Sequence, residues 1–255
     1  MSLARLIQMG ASGVVTEFSP SDISDLQIWL DSSDTSYLFQ DSAKTTAVTS
    51  DNDPIGCWAD RSGNGYDHIQ ATSVNRPTLD TGTMSLNSIN FDRTVDSGVG
   101  QFLQNASSKD TITIFIVMES TSTAAGVYFG FGLTYNAYFI YNLYSGTNYV
   151  AAPGGAFRSV GDSYTAPAAN TSTILTGDLV QFVRKNGTQY AMITPYTYTG
   201  GSGGGTYVGR RGLTPNNHAP YLGNIGEIIT YDRRLSSSEI DDVEAYLSNK
   251  WSITI

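Results

Sequence analysis

The chain has 255 residues, of which 23 are acidic and 14 basic, and its net charge of −9 argues against a nucleic-acid backbone as partner. Charged residues make up 15% of the total, against roughly 25% in ordinary soluble domains, and Gly, Ser, Thr, Asn and Tyr fill the surface instead. A lone cysteine excludes an internal disulfide and a cysteine-based zinc site, and the length suits one large β-sandwich that buries a core without staples.

Taken in chain order, residues 1–17 read as an N-terminal arm and residues 18–255 as one domain. The arm is apolar but short. Arg5 is its only basic residue and Gln8 interrupts the run, so it makes a poor signal peptide and is far too short to span a membrane. Leu3, Leu6, Ile7 and Met9 are the residues expected to dock it, on its own domain or on a neighbouring subunit. Residues 26–31, Leu-Gln-Ile-Trp-Leu-Asp, read as the first strand. Asp51-Asn52-Asp53 is a polar turn ahead of Pro54, and Cys57 beside Trp58 reads as a small buried hydrophobe.

The segment Asp60-Arg61-Ser62-Gly63-Asn64-Gly65 sets oxygen-bearing side chains at positions one, three and five of a loop, as a calcium-binding EF-hand does. The twelfth position is Ala71, where a bidentate Glu is needed. Hydrogen bonding across a tight Gly-rich turn is therefore the preferred reading of Asp60, Ser62 and Asn64, with Ca2+ the lesser one. His68 and His218 are read as surface or turn residues.

Residues 111–118 alternate at first and then turn wholly apolar, as a central strand covered on both faces does. Two aromatic strands follow, over 127–131 and 137–143, joined by a turn around Tyr135-Asn136. Most of their rings read as core. Tyr135, Tyr138, Tyr144 and Tyr149 are the candidates for stacking on a sugar or on another subunit, because tyrosine combines a large apolar body with a polar tip. Asn186-Gly187 between two strand-like runs predicts a hairpin with a type I′ turn. Residues 200–205 form a Gly/Ser loop.

The last segment holds the one convincing helix. Ile225, Ile228 and Ile229 form a β-branched strand after the Gly223-Asn224 turn signal. Ser236 is a good N-cap and Glu239 completes a capping box. Ile240, Val243, Leu247 and Trp251 then recur at helical spacing.

Catalytic patterns are absent. A sandwich glycosidase carries two carboxylates at alternate positions of one strand, so that both flank one glycosidic bond. The five glutamates, Glu17, Glu119, Glu227, Glu239 and Glu244, include no such pair. The Gly-Gly-Ser-Gly-Gly run at 200–204 formally fits a hydrolase nucleophile elbow, but a strand rather than a helix follows it.

The order of these motifs resembles concanavalin A-like jelly rolls of the laminin-G-like kind. The matching residues are Leu26 to Asp31; Ile55, Trp58, Asp60, Ser62, Gly63, Asn64, Gly65 and Gln70; Arg76-Pro77; Ile89 to Asp92; the strand from Gly223 to Leu235; and Ser236, Glu239, Tyr246, Leu247, Lys250 and Trp251. The resemblance implies an all-β, two-sheet jelly-roll sandwich with one short C-terminal helix, preceded by the arm. The arm itself resembles the opening of tail-fibre-like and other structural proteins of marine bacteriophages. Fold alone does not fix function.

Three readings follow. The first is a non-enzymatic bacteriophage virion structural protein, on the capsid or as a tail fibre, that cements other virion proteins or copies of itself and attaches to host glycans. The second is a free carbohydrate-binding lectin module. The third is a glycoside hydrolase, disfavoured by the missing carboxylate pair. None calls for a resident cofactor, nucleic acid or membrane insertion.

Overall fold

The computed structural model describes residues 8–9, 15–96, 99–107, 111–121, 126–131, 138–144, 147–151, 157–159, 167–178, 182–191, 205–210 and 220–255. For 8–9, 15–16, 126–131, 138–144, 147–151, 157–159 and 191 the description is of the backbone. In chain order the strands are β1 (Gln8–Met9), β2 (Val15–Thr16), β3 (Leu26–Asp31), β4 (Leu38–Phe39), β5 (Cys57–Trp58), β6 (His68–Ile69), β7 (Thr78–Asp80), β8 (Ser88–Phe91), β9 (Leu103–Asn105) and β10 (Thr113–Ser120). They continue with β11 (Gly126–Phe131), β12 (Tyr138–Tyr144), β13 (Thr147–Ala151), β14 (Phe157–Ser159), β15 (Thr173–Asp178), β16 (Phe182–Lys185), β17 (Thr188–Ala191), β18 (Thr206–Val208) and β19 (Gly223–Tyr231), and end in helix α1 (Ser237–Trp251).

Two antiparallel sheets face each other. One has eight strands in the order β17-β16-β15-β10-β19-β8-β7, with β3 also paired to β19. The other has nine, in the order β14-β13-β12-β11-β18-β9-β6-β5-β4. Between them lies a core that includes Leu30, Trp58, Leu103, Ile114, Ile116, Val208 and Ile228. A second core lies on the far side of the eight-stranded sheet, where Phe115, Val117, Ile229 and Tyr231 meet Ile240, Val243, Leu247 and Trp251 of α1. Strand β10 therefore sends alternate residues into two apolar layers, which is why its sequence is nearly unbroken in hydrophobicity. The arrangement is the expected two-sheet jelly-roll-like sandwich with its C-terminal helix.

The local signals act as their chemistry requires. Ser236 Oγ accepts from the Glu239 amide, and the Glu239 carboxylate accepts from the Ser236 amide at 2.8 Å. Asn186 and Gly187, at φ 47° and 74°, make the hairpin turn between β16 and β17. Gly226 is an extra residue in β19 opposite the Val117/Met118 step of β10. This bulge flips the alternation, so that Ile225 and Ile228 face the inner core while Glu227 faces the helix. A Cβ on Gly226 would lie 2.5 Å from the Trp251 ring. The glycine thus admits both the bulge and the indole.

Strands β1 and β2 pair with each other and with neither sheet. The chain joins the sandwich from Phe18, which packs on the helix-side core, and Tyr231 donates its hydroxyl to the Pro20 carbonyl at 2.9 Å. Leu3, Leu6 and Ile7 lie outside the described residues, and Met9 pairs by its backbone with Val15. Among the described residues no helix is long and apolar enough to cross a membrane.

One expectation is corrected outright. His68 is neither a surface nor a turn residue: it is fully buried in β6. Its Nδ1 meets the Tyr66 carbonyl at 2.9 Å and its Nε2 the Thr206 hydroxyl at 2.8 Å. Burial lowers its pKa to about 4, so the ring is neutral and serves as a two-ended hydrogen-bond link inside the sandwich. His218 lies outside the described residues.

Candidate functional site

Two regions bring chemistry-bearing side chains together. The first lies between β3, β19 and α1. Glu227 and Asp31 are register partners on adjacent strands. Both carboxylates are about 1% exposed and both accept from the Lys250 ammonium at 2.7 Å. Glu227 Oε1 also accepts from Trp29 Nε1 at 2.7 Å and from the Tyr246 hydroxyl at 3.0 Å, and Oε2 accepts from Trp251 Nε1 at 2.7 Å. Asp31 Oδ1 accepts from the Ser33 amide and hydroxyl, and Oδ2 from Arg61 at 2.7 Å. The Arg61 guanidinium lies 4.5 Å from the Trp29 ring centre.

Two carboxylates on one ammonium are close enough to invite comparison with a glycosidase pair. Their hydrogen bonding argues otherwise. A carboxylate offers about four lone-pair sites, and each of these two receives four donors. Burial, and next the Asp31 charge, push Glu227 upward in pKa, while Lys250 and Trp251 pull it down. Four donors directed at Glu227 favour its ionised form. No lone pair is left to accept from a water, and an ionised carboxylate has no proton to give to a glycosidic oxygen. A cavity of about 520 Å3 opens beside this cluster, walled by Phe18, Trp29 and Tyr246 and by Arg61, Asn249 and Lys250.

The sequence did not expose this cluster, because Asp31 and Glu227 are 196 positions apart and neither has a partner carboxylate on its own strand. One signal was present. Glu227 is the sole charge in a nine-residue strand that is otherwise apolar or neutral and buried throughout.

The second region is the outer face of the nine-stranded sheet, away from the eight-stranded sheet and its helix. Leu38, Trp58, Leu103 and Val208 face the inner core, so their neighbours face out. Cross-strand partners share a face. Phe39 pairs Cys57, Cys57 pairs Ile69, Ile69 pairs Gln104, Gln104 pairs Tyr207, and Tyr207 and Tyr138 both pair Gly130. Along β12, alternation carries the same face from Tyr138 to Asn142 and Tyr144, and Asn142 pairs Tyr149 of β13. The register positions of Tyr138, Tyr144 and Tyr149 thus fall on the outer face with Gln104; Tyr207 shares that register but is only 3% exposed, so the face is covered there. Tyr135 lies outside the described residues.

At the end of β18 the backbone turns through Gly209 at φ 84°, where a Cβ would lie 2.4 Å from the Phe91 ring. The next residue, Arg210, is 1% exposed, with its guanidinium 3.3 Å from the Phe102 ring centre and 5.7 Å from that of Tyr207.

The remaining candidates serve the fold. Asp60 Oδ1 accepts from the amides of Trp29 and Ser62, and Oδ2 accepts from the Tyr66 amide and the Ser62 hydroxyl. Asn64 turns its amide nitrogen, a donor, to the carbonyls of Leu26 and Gln27. Asp60, Ser62 and Asn64 therefore do come together, and their polar atoms tie the Gly-rich turn to β3. No group of three or more His, Cys, Asp or Glu with metal-binding geometry occurs among the described residues. Cys57 is buried and burial raises its thiol pKa to about 12, which leaves it inert.

No family model matches the chain, and no curated protein matches it. Solved structures do share the fold. Domain 4 of AbnA, a GH43 extracellular arabinanase from Geobacillus stearothermophilus solved with arabinotriose, aligns at TM-score 0.53 and 16% identity, over 86% of this chain and 98% of that one. An arabinofuranosidase complexed with arabinofuranosyl-alpha-1,2-xylobiose aligns at TM-score 0.56 and 13% identity, over 92% of this chain and 65% of that one. A sialidase from Trypanosoma rangeli aligns at TM-score 0.50 and 12% identity, over 95% of this chain but 35% of its own. At such identities the likeness establishes the fold. It also corrects the first functional expectation. The neighbours are carbohydrate-active proteins and lead away from a bacteriophage virion structural role on a capsid or tail.

Proposed function

We propose that the chain is a non-catalytic carbohydrate-binding module that takes an oligosaccharide on the outer face of its nine-stranded sheet. The observation that supports this most is the shared register of Tyr138, Tyr144 and Tyr149 with Gln104. Sugars are recognised by flat apolar rings under their C–H faces and by amide and hydroxyl groups at their edges, and these residue types supply both. The likeness in fold to an arabinanase domain solved with arabinotriose, over 86% of this chain, adds support for a sugar ligand. The saturation of Asp31 and Glu227 supports binding without hydrolysis.

The test is a glycan array followed by titration calorimetry on the best ligand. The double variant Tyr144→Ala/Tyr149→Ala is expected to lose at least tenfold in affinity while melting within a few degrees of the wild type. Full affinity in that variant, or no glycan bound by the wild type, contradicts the proposal. Chromatography of the bound oligosaccharide after long incubation should show no shortening, and shortening would overturn the non-catalytic part. One observation favours a second reading: the cavity of about 520 Å3 beside Trp29 and Tyr246 has the size and mixed walls of a small-ligand site.

A further inference from the structure

The cavity beside Trp29 is walled on one side by Glu17, Phe18 and Ser19, where the arm runs into the sandwich. Its buried polar groups are spent on one another. Lys250 donates to Asp31, to Glu227 and to the Tyr246 hydroxyl. That hydroxyl donates to Glu227, and Arg61 donates to Asp31 while lying over the Trp29 ring. What remains is ring surface. Phe18 and Tyr246 are half-buried and meet edge-on at 6.2 Å between ring centres, and Tyr246 meets Trp29 in the same way at 6.4 Å. Rings around a space of about 520 Å3, with the polar groups behind them already paired, favour an apolar occupant.

The chain itself leads one there. Strands β1 and β2 pair Gln8 with Thr16 and Met9 with Val15. The backbone is still extended at Ser19, with φ −125° and ψ 145°, so the second strand can continue past Thr16. Carried on by two residues, the same antiparallel ladder sets Ile7 opposite Glu17 and Leu6 opposite Phe18. Cross-strand partners share a face, and Phe18 packs toward the helix-side core whereas Glu17 is exposed. Position 6 therefore falls on the cavity side and position 7 on the solvent side. We propose that the cavity is the socket of this chain's own N-terminal arm, and that Leu6 is the residue seated in it. Two residues, at most about 7 Å of extended chain, separate Gln8 from Leu6, so the arm reaches the socket without crossing to a second copy. Seating Leu6 covers the Phe18 and Tyr246 rings and holds the arm on the sandwich. The proposal is independent of the sugar-binding reading, and it fills the cavity from within rather than leaving it to a small ligand.

The experiment measures thiol alkylation by iodoacetamide in the full chain, where the native Cys57 is buried and inert. Leu6→Cys is expected to react at least ten times more slowly than Ile7→Cys. Ala245 is half-buried in the cavity wall, so Ala245→Trp blocks the socket and should bring the Leu6→Cys rate up to that of Ile7→Cys. The slow reaction should persist on dilution from micromolar to nanomolar protein. Equal rates for Leu6→Cys and Ile7→Cys would overturn the proposal, and this comparison is decisive even where Ala245→Trp fails to fold. Protection that survives in folded Ala245→Trp would overturn it by putting Leu6 elsewhere. Protection lost on dilution would overturn it in favour of a second copy as the partner of the arm.

Discussion

On the helix side, Asp31 and Glu227 are matched by Arg61 and Lys250, and every carboxylate oxygen is taken. Just after β18 of the other sheet, Arg210 lies buried against two rings with no carboxylate beside it among the described residues. The same small alphabet of charged and aromatic residues is used in opposite ways. Closed hydrogen bonding fixes how the helix sits on the sheet and leaves nothing over for a ligand. At Arg210 the Nε hydrogen has no acceptor among the described residues, and the π faces of Phe102 and Tyr207 lie against the charge instead. The contrast teaches that the number of charged groups around a cavity is a poor guide to function. What counts is how many of their donors and acceptors remain unused.

This comparison can be broken at several points. The largest effect is expected from Glu227→Gln. The amide cannot accept on its nitrogen, so two of the four donors around Glu227 lose their acceptor in a buried site. Urea unfolding should show a loss of about 3–5 kcal/mol. A loss below 1 kcal/mol would mean that the network is not structural.

Next comes pH. His68 has a folded pKa of about 4, below its unfolded value near 6.5, so the unfolded chain binds the proton first. The stability that depends on neutral His68 is complete above about pH 6.5 and is lost as the pH falls through that value toward 4, with a full effect of roughly 3 kcal/mol. Thermal melts between pH 7.5 and 4 should show this decline, and His68→Asn, which keeps one donor and one acceptor, should flatten it. Glu239 acts in a lower window. Arg233 and the capping bonds depress its pKa to about 2, so its contribution is present above about pH 4.5 and is lost only as the pH falls toward 2.

Gly226→Ala should cost about 1–3 kcal/mol, because the new methyl meets the Trp251 ring and both the bulge and the indole have to shift. The smallest effect belongs to Asn249→Ala. Asn249 is exposed on the cavity rim, and stability should stay within about 0.5 kcal/mol and sugar affinity within twofold. A large loss of affinity there would move the binding site to the helix side.

Much of the fold could be read from local signals whose chemistry is self-contained. The Ser236/Glu239 capping box, the Asn186-Gly187 hairpin and the two-sided apolar strand around Ile114–Met118 each depend on a few adjacent residues. The helix-side network was not legible in this way, because its members come from β3, β19 and α1 and meet only in three dimensions. Lys250, in the last turn of the helix, bridges two buried carboxylates. His68 misled for the same reason. Its burial depends on Thr206, 138 positions away, supplying the partner for its second nitrogen. For the outer face, alternation alone separated Tyr138 from Phe139. Only the pairing register joined Tyr138 to Tyr144, Tyr149 and Tyr207.

The most direct test of the central claim is hydrogen–deuterium exchange of the whole chain, with and without the best oligosaccharide from the array. Binding on the outer face predicts slower amide exchange in 103–105, 138–151 and 205–210, and unchanged exchange in 17–19 and 237–251. Protection confined to 17–19 and the helix would contradict the account and assign the ligand to the cavity beside Trp29 and Tyr246.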